Sequence, residues 1–170
     1  AGFTARPLDR AIKELKLAAE LGATDIAFYD DALLCNADKL LTPFLERVLS
    51  EDFSVNFHCP NALNARLLTP QLAELMVAAG FKTFFLGFES LCAQWQRKTG
   101  SKVFSAELRT AVKNLFAAGA DPRCITAYQI LGHPDGDLQH LEESMRFVNS
   151  LGIRGMLADF SPVPGTPDGD

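Results

Sequence analysis

The chain has 170 residues, 48% of them hydrophobic and 22% charged, the composition of an ordinary globular domain long enough to bury one core. No apolar run approaches the roughly 20 residues of a membrane span, and no stretch reads as a secretory signal. The formal net charge of −5 argues against a nucleic-acid surface, which needs clustered Lys and Arg, and leaves small cationic or neutral ligands open.

In chain order the pattern is a repeat of helix, turn and short apolar strand. A first helix is expected over 8–21, where Ala11, Ile12, Leu15, Ala18 and Ala19 share one face; Gly22 ends it, and a strand follows at 26–29. Asn36 opens a helix over 36–50, which reaches a strand at 55–59 through the glycine-free connection 51–54. Thr69 and Pro70 open a helix over 70–79, closed by Gly80 before a strand at 83–88. Ser105 marks a helix over 104–118, closed by Gly119 before a strand at 125–131. Asp137 opens the last helix, 137–151, with Leu138, Leu141, Met145 and Val148 on one face; Gly152 closes it before a strand at 156–160.

The strand segments read as near-continuous apolar runs, which predicts strands covered on both faces. Strands separated by single amphipathic helices imply right-handed crossovers and a parallel sheet in one domain over 1–170. A full eight-unit barrel takes about 250 residues. Five strands leave an open doubly wound sheet or an incomplete (β/α) TIM-type barrel, and no strand is followed by a Gly-rich nucleotide turn, which favours the barrel. The chain opens on a helix and on Ala1 rather than Met, so a first strand is expected to be missing.

In either architecture the chemistry sits at the carboxyl ends of the strands. Those ends carry Asp30 and Asp31; His58, Cys59, Pro60 and Asn61, then Asn64 and Arg66; Gly87, Glu89 and Ser90; Gly132, His133 and Pro134; and Ser161 and Pro162. Two adjacent carboxylates at a strand end are costly to leave unpaired, and Glu89, after an apolar run, calls for a cation or a ligand amine, or for a salt bridge to Arg66 or Arg97. His58 and Cys59 are neighbours on a strand and point to opposite faces, so a zinc site using both is disfavoured. His140 reads as a solvated helix residue, and Cys35, Cys92 and Cys124 as small packing residues. The four cysteines make no closely spaced set, and their wide spacing favours reduced thiols in a cytoplasm. Lys82 begins a strand, the wrong end for a Schiff base.

The strings DIAFYDDALL, HCPNALNARLLTPQLAELMVAAGFKTFFLGFES, ITAYQILGHPDGDLQHLEESMRFVNSLG and DFSPVPGTP, in that order, resemble radical S-adenosylmethionine (SAM) proteins of the Elp3-like or cobalamin-associated type. The resemblance implies strands 2–6 of a six-unit partial barrel with outer helices. It also implies a [4Fe–4S] cluster on a CxxxCxxC loop after the first strand, which would chelate SAM and cleave it to a 5′-deoxyadenosyl radical. No CxxxCxxC is present, so no metal ligand is expected within this chain, which would be inactive alone.

By the same resemblance Asp30 and Asp31 would contact the methionine amine, although YDD departs from the family's frequent Gly-Gly-Glu. Glu89 and Ser90 would contact the ribose or methionine end. Leu131, Gly132, His133 and Pro134 would pack by the adenine, with His133 where a Leu is common; Phe160, Ser161 and Pro162 would line the cavity, and Asn61 and Arg66 would add polar contacts. A flavodoxin- or ferredoxin-type electron donor is implied as partner, with no membrane. The alternatives are a non-redox barrel lyase of aldolase type and a non-catalytic barrel scaffold.

Overall fold

The computed structural model describes residues 6–98, 103–162 and 164–165; most of the closing turn-rich segment lies outside them. Its elements are α1 (Leu8–Glu20), β1 (Asp25–Ala27), α2 (Leu41–Ser50), β2 (Asn56–Leu63), α3 (Pro70–Ala78), β3 (Phe81–Glu89), α4 (Ala93–Lys98), α5 (Ser105–Ala117), β4 (Ile125–Leu131), α6 (Leu138–Ser150) and β5 (Arg154–Asp159). The strands form one sheet in the order β1-β2-β3-β4-β5, and every pairing is parallel. A doubly wound sheet reverses its order part-way; this one never does. Right-handed crossovers between successive neighbours put all the helices on one face, the construction of a TIM-type barrel that five strands leave open. Among the described residues no helix is long and apolar enough to cross a membrane.

In β2 and β3, one-sided cover corrects the expectation of strands buried on both faces; β4 does open with Ile125, Thr126 and Ala127 all buried, and β5 is largely exposed. In β3, Phe84, Leu86 and Phe88 are buried while Thr83, Phe85 and Gly87 are only half-buried, and in β2 Phe57 and Cys59 alternate with half-buried Asn56 and His58. The apolar runs hid this alternation because Phe85 and Tyr128, on the open face, are themselves aromatic. The core lies between sheet and helices, where Leu45, Met76, Leu108 and Leu115 meet Phe57, Phe84, Leu86, Phe88 and Ile125. Phe28, Phe44, Phe57 and Phe81 knit β1, α2, β2 and β3 together with ring centroids 5.3 to 6.1 Å apart.

The caps follow the sequence in part. Thr69 Oγ1 accepts from Leu72 N–H at 3.2 Å and Asp137 Oδ1 from Gln139 N–H at 2.9 Å. Ser105 is already the first helical residue; the Glu107 carboxylate reaches back to Phe104 N–H at 2.7 Å, half of a capping box. Asn36, left-handed at φ 53°, opens a 3₁₀ turn at Ala37–Lys39 rather than α2 itself. The short helix α4 was not anticipated.

Gly22, Gly80, Gly119 and Gly152 all take positive φ where helices end. Gly80 is also hemmed in: a Cβ there would stand 2.9 Å from the Val55 carbonyl oxygen, whereas one on Gly119 would meet nothing within 4 Å. Gly119→Ala should therefore cost roughly 1 kcal/mol from backbone strain alone, and Gly80→Ala roughly 2–3 kcal/mol. Urea unfolding of the two variants, with equal losses, would remove the steric part of this difference.

Candidate functional site

The loops after β3 and β4 enclose a cavity of about 280 Å³ at the carboxyl ends of these strands, with Glu89, Ser90, Trp95, Ile130 and His133 in its wall. Glu89 reaches it through two local irregularities. The β3–β4 register slips between Gly87 and Glu89, and Glu89 itself is left-handed at φ 66°. A bulge of this kind re-aims a side chain at a strand end, and a left-handed Glu holds of order 1 kcal/mol of strain that surrounding bonds must offset.

The chief of those bonds come from Gln96 and Ser144, residues with no functional signature in the sequence. Gln96, 1% exposed, aims Nε2 at the carbonyls of Phe88 (2.6 Å), Ser90 (2.7 Å) and Val103 (2.5 Å), gathering the loop around one amide. Ser144 of α6, also buried, accepts from Leu91 N–H at 2.7 Å while donating to the His140 carbonyl at 2.6 Å. Ser90 Oγ accepts from Cys92 N–H at 3.1 Å. The turn after β4 is equally fixed: Gly136 N–H donates to the His133 carbonyl at 2.8 Å, and Asp135 N–H to His133 Nδ1 at 3.1 Å. With Nδ1 accepting, a neutral His133 carries its proton on Nε2.

His133 is buried between Trp95 (centroids 5.3 Å, 84°) and Phe160 (4.7 Å, 61°); the Trp95 and His133 rings line the cavity, and Phe160 packs against His133 from outside that lining. Trp95 was missed; its only sequence signal is that it is the sole tryptophan, just past a strand end. His140, read from the sequence as merely solvated, lies at the cavity rim with Nδ1 3.4 Å from Asp137 Oδ2. With Glu89, Asp135 and Asp137 the mouth is acidic.

The remaining sequence candidates separate. Asp30 and Asp31 line a second, wider recess of about 1050 Å³ beside α1 and β1, with Arg10 and Lys39 at its rim and Phe28 and Phe44 in its wall. Asn61 braces that loop, its Nδ2 donating to the Tyr29 carbonyl (2.9 Å) and to Asp31 Oδ1 (3.1 Å). Arg66 turns to α5, where Glu107 holds it at 3.0 Å and its guanidinium lies 5.7 Å over the Phe104 ring. Gly132 is left-handed at φ 83°, and half-buried Leu131 accepts from Phe160 N–H at 2.8 Å; Pro134, Ser161 and Pro162 are exposed.

Cys59 is buried on the helix side, opposite His58, and burial, followed by the charge of Asp30, pushes its thiol up to about 12, far from thiolate chemistry. Lys82 is exposed in the second position of β3, away from the carboxyl ends. Among the described residues no three His, Cys, Asp or Glu side chains are placed to hold a metal ion.

No family model and no curated protein matches this sequence. Solved structures do. The chain superposes on TsrM from Kitasatospora setae, a radical SAM methyltransferase solved with cobalamin and a [4Fe–4S] cluster bound, with a TM-score of 0.81 at 15% identity, over 96% of this chain and 33% of that one. It matches the coproporphyrinogen III oxidase HemN of Escherichia coli, a radical SAM enzyme, with a TM-score of 0.69 at 14% identity, over 95% and 40%. It also matches OxsB, a cobalamin-dependent SAM radical enzyme solved with aqua-cobalamin and SAM, with a TM-score of 0.67 at 16% identity, over 83% and 22%. The chain thus spans two fifths or less of the length of these proteins, and across that span it has the partial-barrel fold of radical SAM enzymes.

Proposed function

We propose that this chain is the SAM-binding part of a radical SAM enzyme's barrel, of the cobalamin-associated type, served by an external one-electron donor. The observation that carries the proposal is the cavity at the ends of β3 and β4, which gathers Glu89, Ser90 and His133 in a fold shared with enzymes of that class. Its residues fit a nucleoside. The His133 and Trp95 rings offer a purine an aromatic wall, and the Glu89 carboxylate can accept from ribose hydroxyls or from an ammonium group. The acidic mouth suits a ligand carrying sulfonium and ammonium charge.

The [4Fe–4S] cluster is a different matter. Cys35, Cys59, Cys92 and Cys124 belong to four separate segments, and Cys59 is buried as a thiol, so they do not make the three-thiolate set a cluster needs. Radical chemistry is what the cluster supplies when bound; the residues of this chain bind and orient the nucleoside. Lys82, at the wrong end of β3, gives no support to an aldolase-type alternative.

The lone tryptophan reports on the site directly. SAM or S-adenosylhomocysteine should quench Trp95 fluorescence saturably, and an unchanged spectrum at millimolar nucleoside would sink the proposal. Glu89→Asn should weaken that binding by roughly tenfold or more, the worth of a charged hydrogen bond, while leaving the melting temperature level or higher, because Asn tolerates the left-handed backbone better than Glu. Gln96→Leu should lower stability by roughly 3 kcal/mol in urea unfolding, since it strands buried carbonyls, and should weaken nucleoside binding with it. A Gln96→Leu protein of parental stability would show that the loop is held by other means.

A further inference from the structure

The β3–β4 cavity carries more charge of one sign than a neutral nucleoside requires. Glu89, Asp135 and Asp137 line it, and among the described residues no Lys or Arg joins them. The two histidines do not reverse that sign. His133 Nδ1 accepts from Asp135 N–H at 3.1 Å, the bond of a neutral ring. His140 Nδ1 lies 3.4 Å from Asp137 Oδ2, beside one of the carboxylates it would have to offset.

Asp137 sets the character of the mouth. It caps α6, a helix of 13 residues whose amino end opens on the cavity. A helix end of that length attracts anions, and phosphate groups bind such ends through the first-turn amides. Here the anion's place is taken by the chain itself: Asp137 Oδ1 accepts from Gln139 N–H at 2.9 Å. The turn leading to it is tight. Gly136 N–H donates to the His133 carbonyl at 2.8 Å, and a Cβ on Gly136 would stand 2.8 Å from that same oxygen. A phosphate arriving at α6 therefore meets a carboxylate already bonded to the helix, with Asp135 and Glu89 on the other sides of the mouth.

We propose that this cavity selects its ligand by charge. It takes a purine nucleoside whose 5′ substituent is cationic, a sulfonium or an amine, and rejects 5′-phosphates. The proposal rests on the nucleoside reading of the site and adds which form of the nucleoside is held. The purine lies on Trp95 and His133, and the cation at its 5′ end faces Glu89 from β3 and Asp135 and Asp137 from the turn before α6. Asp135 and Asp137 are the specificity-determining residues, since they supply charge at the mouth without forming the aromatic wall.

Titrations of Trp95 fluorescence on the chain as it stands test this with two matched pairs. SAM differs from S-adenosylhomocysteine by one methyl group and one positive charge, and AMP differs from adenosine by one phosphate. At low ionic strength SAM should bind roughly fivefold or more tightly than S-adenosylhomocysteine, and adenosine roughly fivefold or more tightly than AMP. The Asp137 side chain is 55% exposed, so added salt reaches the mouth. Both ratios should shrink toward one as the Debye length falls below about 10 Å.

Asp137→Asn keeps a good helix cap and removes the charge, so it should shrink both ratios while the melting temperature stays close to that of the parent. Asp135→Asn, which lies outside α6, should act in the same direction and remains informative if Asp137→Asn disturbs the helix. Equal affinities within both pairs would overturn charge selection and leave the nucleoside site standing. Ratios indifferent to salt and to both substitutions would overturn it as well, assigning the preferences to the shape of the methyl and phosphate groups. Binding of none of the four at millimolar concentration would remove the nucleoside reading and the selectivity together.

Discussion

A right-handed crossover between adjacent parallel strands returns its helix to one side of the sheet, and four such crossovers in unbroken order return every helix to the same side. Everything else in this molecule depends on that constraint. One face of β2, of β3 and of the start of β4 packs against helices and is apolar through Phe57, Phe84, Leu86, Phe88 and Ile125. The other looks into the open side of the barrel and can carry Asn56, His58, Thr83 and Tyr128, half-buried. Because side chains alternate along a strand, His58 and Cys59 have opposite fates although they are adjacent. One imidazole is shared between strands on the open face, and one thiol is sealed in the core with its proton.

The same alternation explains what could be read from the sequence. Helix ends were legible because glycine is the cheapest left-handed residue, and Gly22, Gly80, Gly119 and Gly152 all adopt that conformation. Strand ends were legible as the places where apolar runs stop, which is why the sequence pointed to Glu89, Ser90 and His133, residues that line one cavity. The open face was not, because Phe85 and Tyr128 extend the apolar runs on the side that no helix covers. α4 was hidden as well: six residues, mostly polar, leave no room for a periodic apolar stripe. Contacts between distant parts of the chain left no trace at all. Arg66 looked like a mouth residue and is tied to Glu107, 41 positions on, while His58 meets Asp25 and Thr83 across 33 and 25 positions.

Glu89 shows how a strand end becomes a site. A residue in regular extended backbone after Phe88 would continue the alternation and face the open side of the sheet. The register slip after Gly87 and the left-handed backbone of Glu89 break that rule at one position. The break is held from outside the strand, by the Gln96 amide and by Ser144 of α6. Neither residue reaches for a ligand, yet both decide where the carboxylate points. Strain at a strand end, fastened by buried polar groups on neighbouring helices, is the arrangement expected where orientation matters more than stability.

Fold likeness at 14–16% identity is intelligible in the same terms. The features that make the partial barrel are generic: parallel pairing in sequence order, a glycine at the helix ends, apolar side chains on one face of each strand. They tolerate almost any substitution that keeps volume and pattern. The features that would make chemistry are individual: a glutamate at a bulge, a histidine between two aromatic rings. The first group places the chain among partial barrels, and the second must be argued atom by atom, because a fold hosts a function without choosing it. The two recesses illustrate the division. Asp30 and Asp31 occupy the strand end that topology assigns to ligand contact, beside Arg10 and Lys39 at the recess rim, whereas the aromatic wall and the bulged carboxylate meet only at β3 and β4. The geometry around Glu89 is what sets the β3–β4 cavity apart from the recess of Asp30 and Asp31.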